Sequence, residues 1–179
     1  TGMPWVLPSP HIPQPATAFY YPATGILGEL YYVSIGVGYT LPFQLICADW
    51  IDADKFAARM NALNLPGTKF RPIHVKPFYG TGKGENLQGV QFYVDDVPGS
   101  SLTLIQFYAM QELAKLYPEK RIFDTATDKS RFDMFDKVCG TDKIRTLFSK
   151  NYQVSDMIDY WNKDVDAFKE KAKKYYLYK

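Results

Sequence analysis

The stretch LQGVQFYVDDV, residues 87–97, decides the fold class, because it has the clearest strand pattern in the sequence. Its apolar and polar side chains alternate, which places Val90, Phe92 and Val94 on one face. Alternation of this kind predicts a strand with one face against a core and the other face more polar. We therefore expect a sheet that contains this strand and has helices on its apolar side.

The segments on either side of this strand supply the other predicted elements. Two further strands are expected at 43–50 and 68–78, the second at a sheet edge because it contains prolines. Helices are expected at 52–67 and 100–118, from apolar stripes and from Asp or Ser caps at their first residues. The last third is predicted to be helical, at 130–140, 141–151 and 155–179. This order predicts an α+β fold with a mixed or mostly antiparallel sheet, flanking helices and a helical C-terminal third.

The N-terminal segment is rich in proline, with prolines at positions 4, 8, 10, 13, 15 and 22. Proline fixes φ and disfavours helix at the residue before it, so we expect residues 1–27 to form an extended arm. Apolar residues such as Trp5 and Phe19 are interleaved with these prolines, which indicates that the arm packs on the domain. Residues 28–179 are expected to form that single α+β domain.

Composition excludes some function classes and leaves others open. The formal net charge of +2 over 179 residues is too small for a nucleic-acid-binding face, so no nucleic-acid partner is expected. No apolar run reaches transmembrane length, so the chain is not expected to span a membrane. Aromatic residues make up 16% of the chain. Such an excess fits either a carbohydrate or peptide cleft or an aromatic-rich core, and composition does not separate the two.

Motifs for several kinds of chemistry are missing from the sequence. No metal site is predicted, because the sequence has only two histidines and no HExxH or CxxC pattern, and because Cys47 and Cys139 are far apart. Cys47 lies in an apolar run and is expected to be a buried free thiol. The glycines of 79–86 are spaced neither as a phosphate loop nor as a dinucleotide fingerprint, so no cofactor is expected.

One carboxylate stands in an unusual setting, in the stretch GELYYVSIGVGYTLPF at residues 28–43. Glu29 lies between Gly28 and Leu30, among aromatic and glycine residues. A carboxylate in such surroundings needs a partner. That partner can be another protein group or a ligand hydroxyl, and both hypotheses remain open at this point.

Several blocks, in this order, resemble one known family. They are PSPHIP (8–13), YPATG (21–25), VSIGVGYTLPFQLICADWID (33–52), LPGTKFRPI (65–73), LQGVQFYVDD (87–96), FDMFDKVCGTDKIR (132–145) and YYLY (175–178). Together they resemble the second half of the DUF1343 family, whose founding activity is exo-lytic β-N-acetylmuramidase of the NamZ type, glycoside hydrolase family 171. The resemblance implies a smaller α+β domain that closes one side of a glycan cleft.

The same resemblance implies what this chain lacks. Family members are about twice as long, and their Rossmann-like first half holds the glutamate regarded as catalytic. The resemblance therefore implies no catalytic residue in this chain and, as a partner, its own N-terminal Rossmann-like domain. It also implies a peptidoglycan-derived glycan as ligand and a periplasmic, cell-envelope or secreted location.

The loop at 33–44 departs from the family pattern. Ile35 stands where Glu is common, Val37 and Leu41 replace two arginines, and Gln44 replaces a later Glu. Guanidinium groups suit carboxylates such as the lactyl group of muramic acid, so their loss argues against muramic-acid recognition by this loop. The resemblance therefore implies a divergent paralogue with altered glycan specificity or with no activity.

The predicted function is a glycan-binding cleft domain of a peptidoglycan-active, exo-β-N-acetylmuramidase-like glycoside hydrolase, inactive without its N-terminal domain. Glycines in the loop are expected to allow close approach of a ligand to the backbone. The predicted substrate-binding residues are His11, Glu29, Tyr31, Tyr32, Ser34, Gly36, Gly38, Tyr39, Tyr79, Gln88 and Gln91. Two alternatives remain: a non-catalytic interaction module of the cell envelope, and an enzyme in itself that pairs Glu29 with Asp95 or Asp96.

Overall fold

A computed structural model describes residues 2–126 and 129–177, and these residues form an α+β fold as predicted. The strands are β1 (Leu45–Ala48), β2 (Thr68–Val75) and β3 (Leu87–Val94). They form one antiparallel sheet in the order β1-β3-β2. The strand predicted from residues 87–97 is therefore central, and the proline-containing β2 lies at an edge, which confirms both predictions.

Helices surround this sheet and fill the C-terminal third. They are α1 (Thr17–Gly28), α2 (Ala53–Ala62), α3 (Ile105–Leu116), α4 (Ile122–Thr125), α5 (Ser130–Cys139), α6 (Lys143–Phe148), α7 (Ile158–Asn162) and α8 (Val165–Ala172). Asp52 caps α2 by accepting a hydrogen bond from the Lys55 amide at 3.0 Å. Gly140 ends α5 in the left-handed conformation at φ 75°. The aspartate cap was predicted from the sequence, and α5 ends where the helix predicted at 130–140 was expected to end.

Two helix predictions are wrong in detail. A serine cap was expected for the helix at 100–118, but a 3₁₀ turn at Leu102–Leu104 precedes α3 and no side chain caps either element. Within the part described, the single helix expected at 155–179 is divided into a 3₁₀ turn at Val154–Asp156, α7, α8 and a second 3₁₀ turn at Lys173–Tyr175. Tertiary packing therefore breaks a segment whose local sequence favours continuous helix.

The extended arm predicted for residues 1–27 is wrong from Thr17 onward, because α1 begins there and contains Pro22. A proline inside a helix removes one backbone hydrogen bond and costs about 3 kcal/mol. The fully buried side chain of Gln106, on α3, supplies partners for the backbone of α1. Its amide nitrogen donates to the Pro22 carbonyl at 2.9 Å, and its oxygen accepts from the Leu27 amide at 2.9 Å.

The sheet separates two clusters of buried side chains. One face, with Ile46, Val90 and Phe92, belongs to the main core shared with the helices. The other face carries a small cluster of Leu45, Cys47, Val75 and Leu87, covered by Tyr39 and Leu41. Cys47 is a buried free thiol there, as predicted. The loop after α1 is thereby held against the back of the sheet.

A second group of rings lies among the C-terminal helices, and we call it the aromatic cluster. Its members are Phe107, Phe123, Phe135, Phe148 and Tyr152, with ring centroids 5.3 to 6.5 Å apart between neighbours. Part of the aromatic excess therefore does serve a core. No helix in the described ranges is both long and apolar enough to cross a bilayer.

Candidate functional site

A cavity of about 580 Å³ opens where α1 meets two loops. Helix α1 contributes Tyr21 and Gly25, and residues 29–43, which we call the cavity loop, contribute most of the wall. The loop between β2 and β3 closes the remaining side with Tyr79, Gly80 and Thr81. The volume lies within the range of about 300–1,000 Å³ that is usual for small-molecule sites.

The structure brings four of the predicted site residues together at this cavity. Glu29, Tyr31 and Ser34 come from the cavity loop, and Tyr79 comes from the β2–β3 loop. Among the described residues that line the cavity, Glu29 is the only one with a charged side chain. The cavity is therefore mostly apolar and aromatic, with a few polar groups, as ligand sites commonly are.

Ser34 has a hydroxyl group with no hydrogen-bond partner in the part of the chain that the structure describes. Its backbone pairs with Cys47 on β1 through hydrogen bonds of 2.8 and 3.0 Å, which fixes its position at the sheet edge. The residue is only 1% exposed, yet it lines the cavity. A buried hydroxyl without a partner costs about 1–3 kcal/mol.

Glu29 is held by a residue that the sequence did not single out, Arg131 in the first turn of α5. The arginine donates to the Glu29 carboxylate at 2.8 Å and to the Glu29 backbone carbonyl at 2.7 Å. Its guanidinium carbon also lies 4.1 Å from the centre of the Tyr31 ring. The protein partner that Glu29 requires is therefore Arg131, from 102 positions away along the chain.

Two non-glycine residues on the cavity wall adopt the left-handed conformation, Tyr31 at φ 50° and Phe43 at φ 66°. Such a backbone costs of order 1–3 kcal/mol and persists only where the surroundings enforce it. Phe43 is fixed by its amide, which donates to the Ile35 carbonyl at 2.7 Å, and by its carbonyl, which accepts from the Thr24 hydroxyl at 3.0 Å. Strain of this kind is concentrated at functional sites.

His11 contacts Tyr79 and does not itself line the cavity. The Tyr79 hydroxyl and His11 Nε2 are 3.1 Å apart, and the two rings stack with centroids 5.6 Å apart. The N-terminal arm thus orients a ring that forms part of the cavity wall.

Gly36 and Gly38 have φ values of 86° and 92°, so both positions do require glycine. A side chain on Gly36 would meet the Leu41 carbonyl, and one on Gly38 would meet the Tyr79 carbonyl. The Gly38 carbonyl also accepts from the Phe78 amide at 3.0 Å. The glycines therefore allow backbone to pack on backbone, within the cavity loop at Gly36 and between the cavity loop and the β2–β3 loop at Gly38. Neither glycine is among the residues that line the cavity.

Tyr32, Tyr39, Gln88 and Gln91 lie away from the cavity. The Tyr32 ring packs on Trp50 with centroids 5.3 Å apart, and burial raises the pKa of its phenol, which keeps the group neutral. Tyr39 and Gln88 line a separate cavity of about 530 Å³ beside β2 and β3.

Gln91 is occupied within the protein. Its carbonyl oxygen accepts from the Arg71 guanidinium at 2.6 and 2.9 Å and from the Tyr93 hydroxyl at 3.2 Å. The proposed pairing of Glu29 with Asp95 or Asp96 is not seen either. Neither aspartate lines the cavity; Asp95 pairs with Lys69 at 3.6 Å, and Asp96 accepts from the Gly99 amide at 3.1 Å.

Comparison with known proteins gives this site a family context. The model of the family described as "Exo-beta-N-acetylmuramidase NamZ, C-terminal" matches residues 19–178. The chain belongs to this family. It is 34% identical over 178 residues to the peptidoglycan β-N-acetylmuramidase NamZ of Bacillus subtilis. It is also 55% identical to a DUF1343 family protein from Bacteroides fragilis, whose crystal structure superposes with a TM-score of 0.96.

Both relatives are longer than the region that matches. The aligned part is 99% of this chain in each case, but only 41% of the B. subtilis protein and 46% of the B. fragilis protein. The chain therefore corresponds to less than half of either relative. In the described residues, no group of three or more His, Cys, Asp or Glu side chains is placed to hold a metal ion.

Proposed function

We propose that this domain forms a substrate-binding wall of the glycan cleft in a peptidoglycan-active, β-N-acetylmuramidase-like glycoside hydrolase. The observation that carries the proposal is a cavity of about 580 Å³ framed by Tyr21, Tyr31 and Tyr79, with Glu29 as the only charged residue among its described lining residues. Aromatic rings suit the apolar faces of sugars, and a carboxylate oxygen accepts hydrogen bonds from their hydroxyl groups. The activity of the B. subtilis relative supplies the substrate class.

We assign binding, not bond cleavage, to this domain. Glycoside hydrolysis usually requires two carboxyl groups that flank the scissile bond. Glu29 is the only carboxylate among the described lining residues, and it is already paired with Arg131. The catalytic glutamate is accordingly proposed to lie in the N-terminal part that the longer relatives possess. Peptidoglycan as substrate would place the protein in the periplasm or cell envelope.

The first experiment compares the full-length protein with residues 1–179 alone. Each is incubated with a chromogenic β-N-acetylmuramide and with peptidoglycan fragments, and release of chromophore and sugar is measured. We expect turnover by the full-length protein and none by the domain. Turnover by the isolated domain would show that the chemistry resides here and would contradict the proposal.

A substitution tests whether this cavity belongs to the cleft. Tyr79→Ala in the full-length protein is expected to lower kcat/KM about tenfold, equivalent to about 1.4 kcal/mol of lost binding. Tyr175→Ala is the matched control, since Tyr175 is an exposed tyrosine that lies outside the cavity. Equal activity of the two variants would show that this cavity is not part of the substrate cleft.

A non-catalytic interaction module is the second candidate, and the N-terminal arm favours it. Met3, Val6 and Leu7 are exposed apolar side chains on this arm. An apolar surface of this kind is typical of a docking contact. Absence of turnover and of glycan binding in the full-length protein, measured by calorimetry, would favour this candidate.

A further inference from the structure

We propose that His11 is a positioning residue for the cavity: from the N-terminal arm, it holds the Tyr79 ring in place as part of the cavity wall before a glycan binds. The inference rests on the proposed function, because it explains how the same cavity is prepared for its ligand. His11 does not itself line the cavity, so its role is assigned through Tyr79 and not through contact with the sugar.

The backbone of Tyr79 is fixed by the cavity loop. The amide of the preceding residue, Phe78, donates to the Gly38 carbonyl at 3.0 Å. Gly38 also lies so close to the Tyr79 carbonyl that a side chain on Gly38 would collide with it. Position 79 is thereby held beside the cavity, but neither contact stops the Tyr79 ring from rotating about its side-chain bonds.

The orientation of the Tyr79 ring depends on His11. The Tyr79 hydroxyl lies 3.1 Å from His11 Nε2, and the two rings stack with an angle of 14° between their planes. Within residues 2–126 and 129–177, no other group forms a hydrogen bond with that hydroxyl. The neighbouring ring of Phe78 is itself exposed, and Tyr79 is 44% exposed, so packing alone restrains the Tyr79 ring only weakly.

A rigid turn of the arm presents His11 to this ring. The Ser9 carbonyl accepts from the Ile12 amide at 2.9 Å, and the Ser9 hydroxyl accepts from the His11 amide at 3.2 Å. Pro10 and Pro13 restrict the backbone on both sides of His11. Ile12 packs against the main core, which anchors the turn to the domain. His11 is therefore held in place independently of Tyr79.

A ring that is already ordered loses less freedom when a ligand binds. Ordering one side chain of this kind during binding lowers affinity by roughly twofold to tenfold. His11 supplies the order in advance, so its loss should weaken glycan binding. The groups that break the bond are proposed to lie outside this domain and should be unaffected. The expected signature is a change in KM and not in kcat.

Steady-state kinetics of the full-length protein with a chromogenic β-N-acetylmuramide test this role. We expect His11→Ala to raise KM about fivefold and to leave kcat within about twofold of wild type. His11→Phe keeps a ring for the stack but has no hydrogen-bonding nitrogen, so it should recover part of the loss. His74→Ala is the matched control, because His74 is the other histidine, is exposed and lies outside the cavity. An unchanged KM in His11→Ala, or a fall in kcat as large as the change in KM, would overturn the proposal.

A double-mutant cycle tests whether His11 acts through Tyr79. In a Tyr79→Ala background, His11→Ala should cause almost no further rise in KM, because the ring that it positions is absent. A further rise of about fivefold there would show that His11 acts independently of Tyr79 and would contradict the proposal. If Tyr79→Ala itself behaved like Tyr175→Ala, the proposed function would fail and this inference with it. Reduced activity in Tyr79→Ala with a normal KM in His11→Ala would overturn this inference alone.

Fluorine NMR of the full-length protein labelled with meta-fluorotyrosine reports on the ring directly and requires no turnover. The Tyr79 resonance is assigned by its absence in Tyr79→Phe. In His11→Ala this resonance should move towards the chemical shift of free fluorotyrosine, because the ring loses its stacking partner, and in His74→Ala it should stay in place. A Tyr79 resonance that is identical in His11→Ala and wild type would show that His11 does not position the ring.

Discussion

Tyr31 and Tyr152 share a backbone conformation and differ in nearly everything else. Both adopt the left-handed region, at φ 50° and φ 54°. Tyr152 is 2% exposed within the aromatic cluster, whereas Tyr31 is 64% exposed at the mouth of the cavity. The hydroxyl of Tyr152 accepts from the Phe123 amide at 2.9 Å, and burial raises the pKa of this phenol to about 12.

The difference separates two uses of an aromatic ring. At Tyr152, burial and a hydrogen bond offset the backbone strain, so the conformation follows from core packing. At Tyr31, one face of an exposed ring meets Arg131, and little core burial offsets the strain. Some of the aromatic residues therefore lie in a packed core and others in a cavity wall. Composition alone could not predict which residues lie in which place.

Tyr152→Gly should produce the largest effect. Loss of a buried aromatic side chain costs about 3–5 kcal/mol, and relief of the left-handed backbone returns about 1 kcal/mol of it. We expect the free energy of unfolding, measured with denaturant, to fall by roughly 3 kcal/mol. A change below about 1 kcal/mol would mean that the cluster contributes little and that the contrast with Tyr31 is not real.

Gln106→Leu tests the connection between the two regions, since Gln106 on α3 hydrogen-bonds to α1, which carries part of the cavity wall. The substitution introduces an apolar side chain of similar size and leaves the Leu27 amide and the Pro22 carbonyl without this partner. We expect a loss of about 2 kcal/mol of unfolding free energy together with weaker glycan binding. Reduced stability with unchanged binding would show that the wall does not depend on this bond.

Tyr31→Gly should have the smallest effect on stability and a clear effect on binding. Relief of the backbone strain should stabilise the fold by about 1 kcal/mol, and loss of the Arg131 contact should destabilise it by about 0.5–1 kcal/mol. The two effects nearly cancel. We therefore expect unfolding free energy within about 0.5 kcal/mol of wild type, while glycan affinity in the full-length protein falls. A loss of stability comparable to that of Tyr152→Gly would make Tyr31 a packing residue.

Sequence patterns were informative where local chemistry dictates structure. The alternation around Val90 and Phe92 located the central strand, and Gly140 located the end of α5, because both depend on nearest neighbours along the chain. The glycines at 36 and 38 were correctly singled out as special. What packs against them was not predicted: the backbone opposite Gly36 is that of Leu41 in the same loop, and the backbone opposite Gly38 is that of Tyr79 in the β2–β3 loop, which leaves no local trace in the sequence.

Long-range contacts account for the main errors. Pro22 locally disfavours a helix, and the contacts that hold α1 in the fold include the side chain of Gln106, 84 positions away. Arg131 reaches Glu29 across 102 positions, so no motif around Glu29 could reveal it. A pattern of co-varying residues among relatives is the kind of signal that could have found both pairs.

The bond between Gln106 and α1 also has a consequence for the order of folding. Helix α1 contains a proline and is short, so it has weak tendency to form alone. The Leu27 amide gains its 2.9 Å partner only after α3 has docked. The first helix along the chain is therefore expected to be completed late, and hydrogen exchange at the Leu27 amide would report that docking step, not local fraying of the helix.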